Sequence, residues 1–446
     1  MNILVIAVDT LRWDHLAHNR AKPVKTPNLD RFAERATLFE RCIVNSFPTV
    51  PHRMDCFTGR VCFPNWDWEQ LPKQLPTLTE TLRDAGYFTA VVADTTNFIS
   101  ANITRGAHEI HRTLLPPADM PDPKTMPFPV PPEHIRQRGA QRQKHAAEQA
   151  HFRRESDWWV AKTMTRAAEW LQDNAKRDKW FLWVDTFEVH ELWHTPQYYV
   201  DKYDPGYTGL DYDFPNYGYT DIYSETELRH LWAHYAAEVT LTDRWIGHLL
   251  DQVDVMGLWD DTMLVVTSDH GMYIGEHNRT GKHTVLGEAD PWPLYEEVTH
   301  VPMMVWAPGL GAEGKRIAAL AQPADLAPTI LDAARVAAPP MDGRSWLPLI
   351  AGERKRNWDV VYSAKHWGPN ARLTICPTWV TATTEQWTAI LAQEKHEAEL
   401  YDIQADPGQR NNLAQRYPDI EPELRKDFAR FMRSQGAAEE YIARYE

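Results

Sequence analysis

Ile3-Leu4-Val5-Ile6-Ala7-Val8-Asp9 is the stretch that decides the fold of this chain. Six apolar residues in a row, four of them β-branched, describe a strand covered on both faces. That is the habit of a parallel sheet, not of an antiparallel sheet with one wet side. Runs of similar texture recur at 89–93, 180–184, 263–267 and 302–306, with helical patterns at about 28–37, 77–86, 155–175 and 225–256. Strand and helix in alternation predict an α/β fold, a mostly parallel central sheet flanked by helices. Ligands of such sheets gather beyond the carboxyl ends of the strands. Asp9 follows the first run, Asp94 the second, Asp185 the third and Ser268-Asp269-His270-Gly271 the fourth, so four acidic residues converge on one rim. Aspartate is also a favoured helix N-cap, and for Asp94 both roles stay open.

The 446 residues suffice for one large α/β domain, placed at 1–345, and a smaller lobe at 346–446. With 47 basic and 62 acidic residues the formal charge is -15. This argues against a nucleic-acid partner or an anionic membrane surface, either of which needs a basic face. An anionic substrate is still allowed, because a metal and a few cations reverse the potential inside one pocket. Cys42, Cys56, Cys62 and Cys376 form neither a disulfide framework nor a Cys-x-x-Cys zinc spacing. The apolar opening is too short for a secretion signal, and no run of about 18 apolar residues spans a bilayer. The expectation is a reduced, cytoplasmic protein.

A proline-rich segment, with a basic, Gln-rich surface helix after it, interrupts the pattern at about 112–150. Such an insertion covers a site, makes the subunit contact of a homo-oligomer, or is a solvated excursion. A second irregular stretch, 201–224, is rich in Tyr, Asp, Gly and Pro and is placed at the pocket mouth. Beyond 345 the short strands 359–363 and 379–382 and a charged helix from about 419 read as a small α+β lobe.

One segment, Asn45-Ser46-Phe47-Pro48-Thr49-Val50-Pro51-His52-Arg53-Met54-Asp55-Cys56-Phe57-Thr58-Gly59-Arg60, resembles the nucleophile region of the sulfatase family. In that family a cysteine in a Cys-x-Pro-x-Arg frame is oxidised to formylglycine. Here Pro51, Arg53 and Thr58-Gly59-Arg60 keep the frame, and Thr49 replaces the cysteine. Cys56 cannot take the role, because Thr58 stands where its proline is needed; it reads as a buried thiol. Further stretches are similar in the same order. They include Thr26-Pro27-Asn28, Leu75-Pro76-Thr77-Leu78, Ser268-Asp269-His270-Gly271, Gly281-Lys282-His283, Asp342-Gly343-Arg344-Ser345 and Glu399-Leu400-Tyr401-Asp402. The resemblance covers nearly the whole chain and implies an alkaline-phosphatase-like fold; it does not fix the substrate.

The resemblance also implies a site. Asp9, Thr49, Asp269 and His270 would surround one divalent metal. Carboxylates suit a hard cation, and the imidazole favours manganese or zinc while calcium and magnesium stay admissible. The family's second acidic residue is replaced by Thr10. Coordination would lower the pKa of the Thr49 hydroxyl and make it a nucleophile; the plain alternative is a helix-capping threonine. Arg53, one helical turn on, would hold that oxygen or a substrate oxygen. Lys282 and His190 resemble family residues that meet the anionic group and the leaving group, with His283 alongside; a surface ion pair is the alternative for each. The usual family Lys-x-His is absent, and Thr95 and Asn97 would supply hydrogen bonds in its place. Asp185, His190 and His366 are candidates for a second metal.

Without formylglycine and that lysine, ordinary sulfatase chemistry loses support. A threonine with an Asp/Asp/His site resembles the phosphoryl-transferring relatives, such as the nucleotide pyrophosphatase/phosphodiesterases. The expected activity is therefore that of a phosphodiesterase or phosphonate monoesterase, acting on a small anionic ester through a phospho-Thr49 intermediate. A sulfuric ester hydrolase using Thr49, or an inactive anion-binding protein, are the alternatives. Of the 19 tryptophans, Trp66, Trp68, Trp193 and Trp292 are candidates for an aromatic mouth.

Overall fold

A computed structural model describes residues 1–19, 24–95, 97–114, 119–135, 139–282, 292–311, 313–365, 379–393 and 396–446. The main sheet holds β1 (Asn2–Val8), β2 (Thr37–Phe39), β3 (Phe88–Ala93), β4 (Glu109–Arg112), β5 (Trp180–Thr186), β6 (Thr262–Ser268), β7 (Met303–Trp306) and β8 (Arg316–Ile317). Their spatial order is β8-β2-β7-β6-β1-β5-β3-β4. The run from β6 to β4 is parallel throughout. β7 is antiparallel to both its neighbours, so the sheet is mixed toward one edge.

The opening strand lies at the centre, buried along its whole length. Leu4, Ile6 and Val8 face one apolar layer and Ile3, Val5 and Ala7 the other, as the two-residue period of a strand requires. Helices α5 (Trp159–Asn174) and α6 (Glu225–Val255) cover the first face. Helices α2 (Thr49–Thr58) and α7 (Leu326–Ala334) cover the second. The pairings Val8↔Ser268 and Ala7↔Asp185 bring the strand ends level, so Asp9, Asp185 and Asp269 reach the same rim.

Other helices longer than four residues are α1 (Pro27–Arg35), α3 (Leu78–Asp84), α4 (Ala140–Glu148) and α8 (Ile420–Ser434). The helical pattern at 28–37 stops at Arg35 because Thr37–Phe39 is drawn into the sheet as β2. The basic segment expected as a surface helix is α4, and it is half-buried: Arg142 pairs with Asp213 of the 201–224 stretch. Among the described residues no helix is long and apolar enough to cross a membrane.

Four strands, β9 (Val360–Ser363), β10 (Thr381–Thr384), β11 (Trp387–Ile390) and β12 (Glu399–Asp402), form an antiparallel sheet in chain order. With α8 they enclose Tyr362, Leu400 and Phe428, against which Val61 and Phe63 pack from the loop after α2. Ala364 exchanges backbone hydrogen bonds with Asn45 and Phe47, 2.9 and 3.0 Å long. The C-terminal subdomain therefore braces the segment that leads into Thr49.

Candidate active site

Thr49 is the first residue of α2, a helix whose ten residues are all buried. Its entry is fixed from within the same helix. The Asp55 carboxylate accepts from the Ser46 amide (2.8 Å), the Ser46 hydroxyl (2.7 Å) and the Cys62 amide (2.8 Å), which ties both ends of the turn together. The helix ends at Gly59 with φ 65°, the left-handed conformation that glycine adopts at least cost. Thr49 is 6% exposed. It thus has access to a ligand while its backbone is held.

Around it the strand ends close. The Thr49 hydroxyl lies 3.3 Å from Asp9 Oδ2 and 3.4 Å from His270 Nε2. His270 Nδ1 faces the Gly271 carbonyl at 3.0 Å, so it carries the proton and Nε2 presents a lone pair. Burial pushes the His270 pKa down to about 4, which keeps the ring neutral. One ligand atom each from Asp9, Asp269 and His270 lies within 4.8 Å of the others. Asp269 Oδ1 accepts from the Thr10 and His270 amides (2.9 and 2.8 Å), while Oδ2 pairs with the Arg53 guanidinium at 3.0 Å and lies 3.5 Å from His270 Nε2. Two carboxylates and an imidazole lone pair converging around one hydroxyl in a buried place fit a divalent cation. Asp9 is held well above the usual carboxylate range by burial and by the neighbouring Asp269 charge. Asp269 is held well below it: burial pulls it up, but the His270 ring beside it and the Arg53 and Lys282 charges outweigh that.

Arg53 departs from its expected role. Instead of facing a substrate oxygen, its guanidinium grips Asp185 through Nε (2.9 Å) and Nη2 (3.0 Å) and meets Asp269 Oδ2 through Nη1 (3.0 Å). All three side chains are fully buried. Arg53 therefore positions a metal-type carboxylate. The same geometry removes Asp185 from the second-metal set, since its oxygens are taken by Arg53 and by Trp183 Nε1 at 2.8 Å. His366, its other suggested partner, lies outside the described residues, as does His283.

Lys282 does reach the cluster. Its ammonium donates to Thr10 Oγ1 (2.7 Å), which donates to Asp9 Oδ1 (2.6 Å). It also stands 3.7 Å from Glu191 Oε2. The Tyr217 hydroxyl donates to the other Glu191 oxygen, which brings the 201–224 stretch to the site. His190 stacks on Phe187 and donates from Nδ1 to the Glu191 carbonyl (2.7 Å), leaving Nε2 as an acceptor; burial depresses its pKa well below the ordinary value.

Thr95 is buried and Asn97 exposed at the start of the short helix Asn97–Ser100; among the described residues neither hydrogen-bonds the cluster. Asp94 accepts from Thr163, Thr186 and the Phe187 amide, tying β3 to the loop after β5. Trp193 and Trp292 are core residues, 0% and 2% exposed, and line no mouth. Trp66 and Trp68 are partly buried against the core face that holds α2. Cys56 is buried among apolar neighbours, where burial pushes its thiol well above the usual range.

Sequence reasoning passed over Glu191 and Tyr217 and read Thr10 only as a missing ligand. Glu191 belongs to no motif, and its place depends on a loop. A polar residue directly after a strand-end aspartate was the one available signal for Thr10.

A family model described as Sulfatase matches residues 1–336, and one described as N-sulphoglucosamine sulphohydrolase, C-terminal, matches residues 287–434. The choline-sulfatase of Rhizobium meliloti (strain 1021) is 25% identical over 93% of this chain and 82% of its own length. Arylsulfatase K of Bos taurus is 24% identical over 95% of this chain and 80% of its own. The phosphonate monoester hydrolase of Agrobacterium radiobacter has a similar fold, with a TM-score of 0.75 at 19% identity over 97% of this chain and 95% of that one.

Proposed function

The chain belongs to the sulfatase family of hydrolases, and from that premise we propose that it hydrolyses phosphate diesters or phosphonate monoesters through a covalent phospho-Thr49 intermediate. What supports the reading is the place of the Thr49 hydroxyl, between Asp9 Oδ2 and His270 Nε2 at the head of a buried helix. Asp9, Asp269, His270 and Thr49 would hold the divalent metal usual in the family, with manganese or zinc favoured by the mixed oxygen and nitrogen donors. Such an ion, when bound, supplies Lewis acidity and charge neutralisation.

The chain's own groups do the rest. The Thr49 hydroxyl oxygen attacks phosphorus, its proton directed toward Asp9 Oδ2; the Oγ–P bond forms and the ester P–O bond breaks, and the departing alkoxide takes a proton from solvent and leaves as the alcohol. Water then attacks the same phosphorus, the P–Oγ bond breaks, and Thr49 Oγ recovers the proton held at Asp9. The free amides of the first turn of α2 and the Lys282 ammonium stabilise anionic charge. His190 offers its Nε2 lone pair to a proton of the water. A threonine ester has no second hydroxyl with which to expel the transferred group, so water must attack that group directly. This favours phosphorus over sulfur.

The second reading, sulfuric ester hydrolysis by the same residues, is favoured by the sulfatase names of the curated relatives and by the C-terminal family model. A panel of nitrophenyl phosphate mono- and diesters, a phosphonate monoester and a sulfate separates the two. The expected result is turnover of the phosphorus diester or phosphonate, with a phosphorylated Thr49 peptide in acid-quenched samples. Turnover of the sulfate alone selects the second reading. Full activity in Thr49→Ala overturns both.

A further inference from the structure

Near the N-terminal end of α6, His230 and His234 stand one helical turn apart and point at the same carboxylate. Asp211 Oδ1, from the irregular stretch before α6, lies 3.3 Å from His230 Nε2 and 2.6 Å from His234 Nε2. Both histidines are buried, 4% and 5% exposed, whereas the Asp211 side chain is 56% exposed. The cluster lies outside the Thr49 centre and takes no part in the chemistry proposed there.

The opposite nitrogens are already taken. His230 Nδ1 faces Asp204 Oδ2 at 3.0 Å, and Asp204 is itself held by Arg229. His234 Nδ1 faces the Trp193 carbonyl at 3.1 Å. Each ring thus meets an acceptor at both nitrogens, while a neutral imidazole has one N–H to give. Two neutral histidines that donate from Nδ1 aim two lone pairs at a carboxylate oxygen. The other way to satisfy the contacts is a pair of imidazolium ions, with ring centroids 4.8 Å apart, buried together against exposed Asp211 on one side and Asp204 on the other. A cation between the two Nε2 atoms and Asp211 Oδ1 removes the conflict without either charge.

We propose that His230, His234 and Asp211 bind a zinc-class divalent ion, separate from the Asp9, Asp269 and His270 centre. The donor set is that of a tetrahedral zinc site, with a fourth position open to water beside exposed Asp211. Ligand atoms about 2.0–2.1 Å from zinc in a tetrahedron stand roughly 3.3 Å apart. The His230 contact has that spacing, and the His234 contact opens by less than 1 Å to reach it. Asp204 and the Trp193 carbonyl orient the rings as outer-shell partners of zinc-bound histidines do. Trp193 in turn donates its amide to the Asp213 carbonyl at 2.9 Å, so the ion fastens the 201–224 stretch to α6 and to the loop that carries Glu191.

The test isolates this site by disabling the other. Full-length Asp9→Asn/Asp269→Asn protein, stripped with chelator, is titrated with Zn2+ and with Co2+. One equivalent per chain is expected, with Co2+ giving the intense visible absorption of a tetrahedral site and Zn2+ raising the melting temperature. Adding His230→Gln/His234→Gln abolishes the equivalent, the absorption and the thermal shift, with circular dichroism confirming that each variant is folded. If the folded Asp9→Asn/Asp269→Asn protein binds no Zn2+ or Co2+, the cluster is an ion pair and the proposal falls. It falls equally if the equivalent survives loss of both histidines.

Discussion

The Lys282 ammonium lies 2.7 Å from the hydroxyl of Thr10, a β-branched residue held at φ 63°. Such a conformation costs a threonine on the order of 1–3 kcal/mol, so its surroundings must impose it. They do: its amide donates to Asp269, and its hydroxyl links Lys282 to Asp9. A residue that reads as a lost metal ligand is the relay between the cation and the carboxylate.

Thr10→Val keeps the shape and the backbone strain but deletes that relay. A hydrogen bond to a charged group contributes roughly 1.5–3 kcal/mol, so kcat/KM should fall about 10- to 100-fold. Metal content should stay unchanged. Unaltered steady-state kinetics would show that the contact does nothing for turnover.

Arg53→Met removes the guanidinium that pairs buried Asp185 and Asp269. Removing one partner of a buried ion pair costs about 3–5 kcal/mol. Chemical denaturation should show a loss of that size, and Arg53→Met/Asp185→Asn should recover part of it. A loss below about 1 kcal/mol, or no recovery, contradicts the positioning role.

Gly271→Ala and Gly59→Ala should differ in kind. A Cβ at Gly271 collides with the Glu297 carbonyl, which is backbone and cannot rotate away. His270 next door must shift, and affinity for Mn2+ or Zn2+ should drop at least tenfold in a binding titration, the low end of what a misaligned ligand shell costs. A Cβ at Gly59 meets the flexible end of Met341. That variant should lose only about 1 kcal/mol of stability, for the left-handed φ, and keep its metal. Equal metal affinities in the two variants would refute the distinction.

Stability should decline as pH rises from about 4.5 to about 8, and Glu188 is one cause. Burial, helped by the Asp94 charge, pushes its pKa up to about 8. The folded state therefore holds a proton that the unfolded chain, titrating near 4.3, has released. That contribution is present below the unfolded value and is lost as pH climbs through the folded one. Glu238, buried beside it, is raised in the same direction. Melting temperatures from pH 5 to 9 should fall less steeply in Glu188→Gln, and less still in Glu188→Gln/Glu238→Gln. A slope equal to that of the parent protein would count against the assignment.

Much of the fold was legible because both faces of the sheet are covered. Residues 3–8 and 263–266 are uninterrupted apolar runs, and each leads to an aspartate that became part of the cluster. The rim positions of Asp9 and Asp269 could be read from that alone, and their grouping with His270 and Thr49 from the family resemblance. The partners of Arg53 could not, since a guanidinium one turn from a nucleophile looks the same in sequence whether it turns to substrate or to core. Thr10 and Glu191 were hidden for a related reason: their roles arise from a backbone conformation and a loop path, neither of which has a period. The His230 and His234 spacing lay in plain view on a helix, but Asp211 joins it from a stretch without regular structure.

The Asp55 clamp has one more consequence. Its carboxylate holds residue 46 and residue 62, and α2 is buried by apolar packing; none of these contacts touches the side chain at 49. The mounting of the reactive atom is thus independent of its chemistry. A scaffold built this way lets one attacking group be exchanged for another by a single codon, with the fold and the anion cradle left as they were.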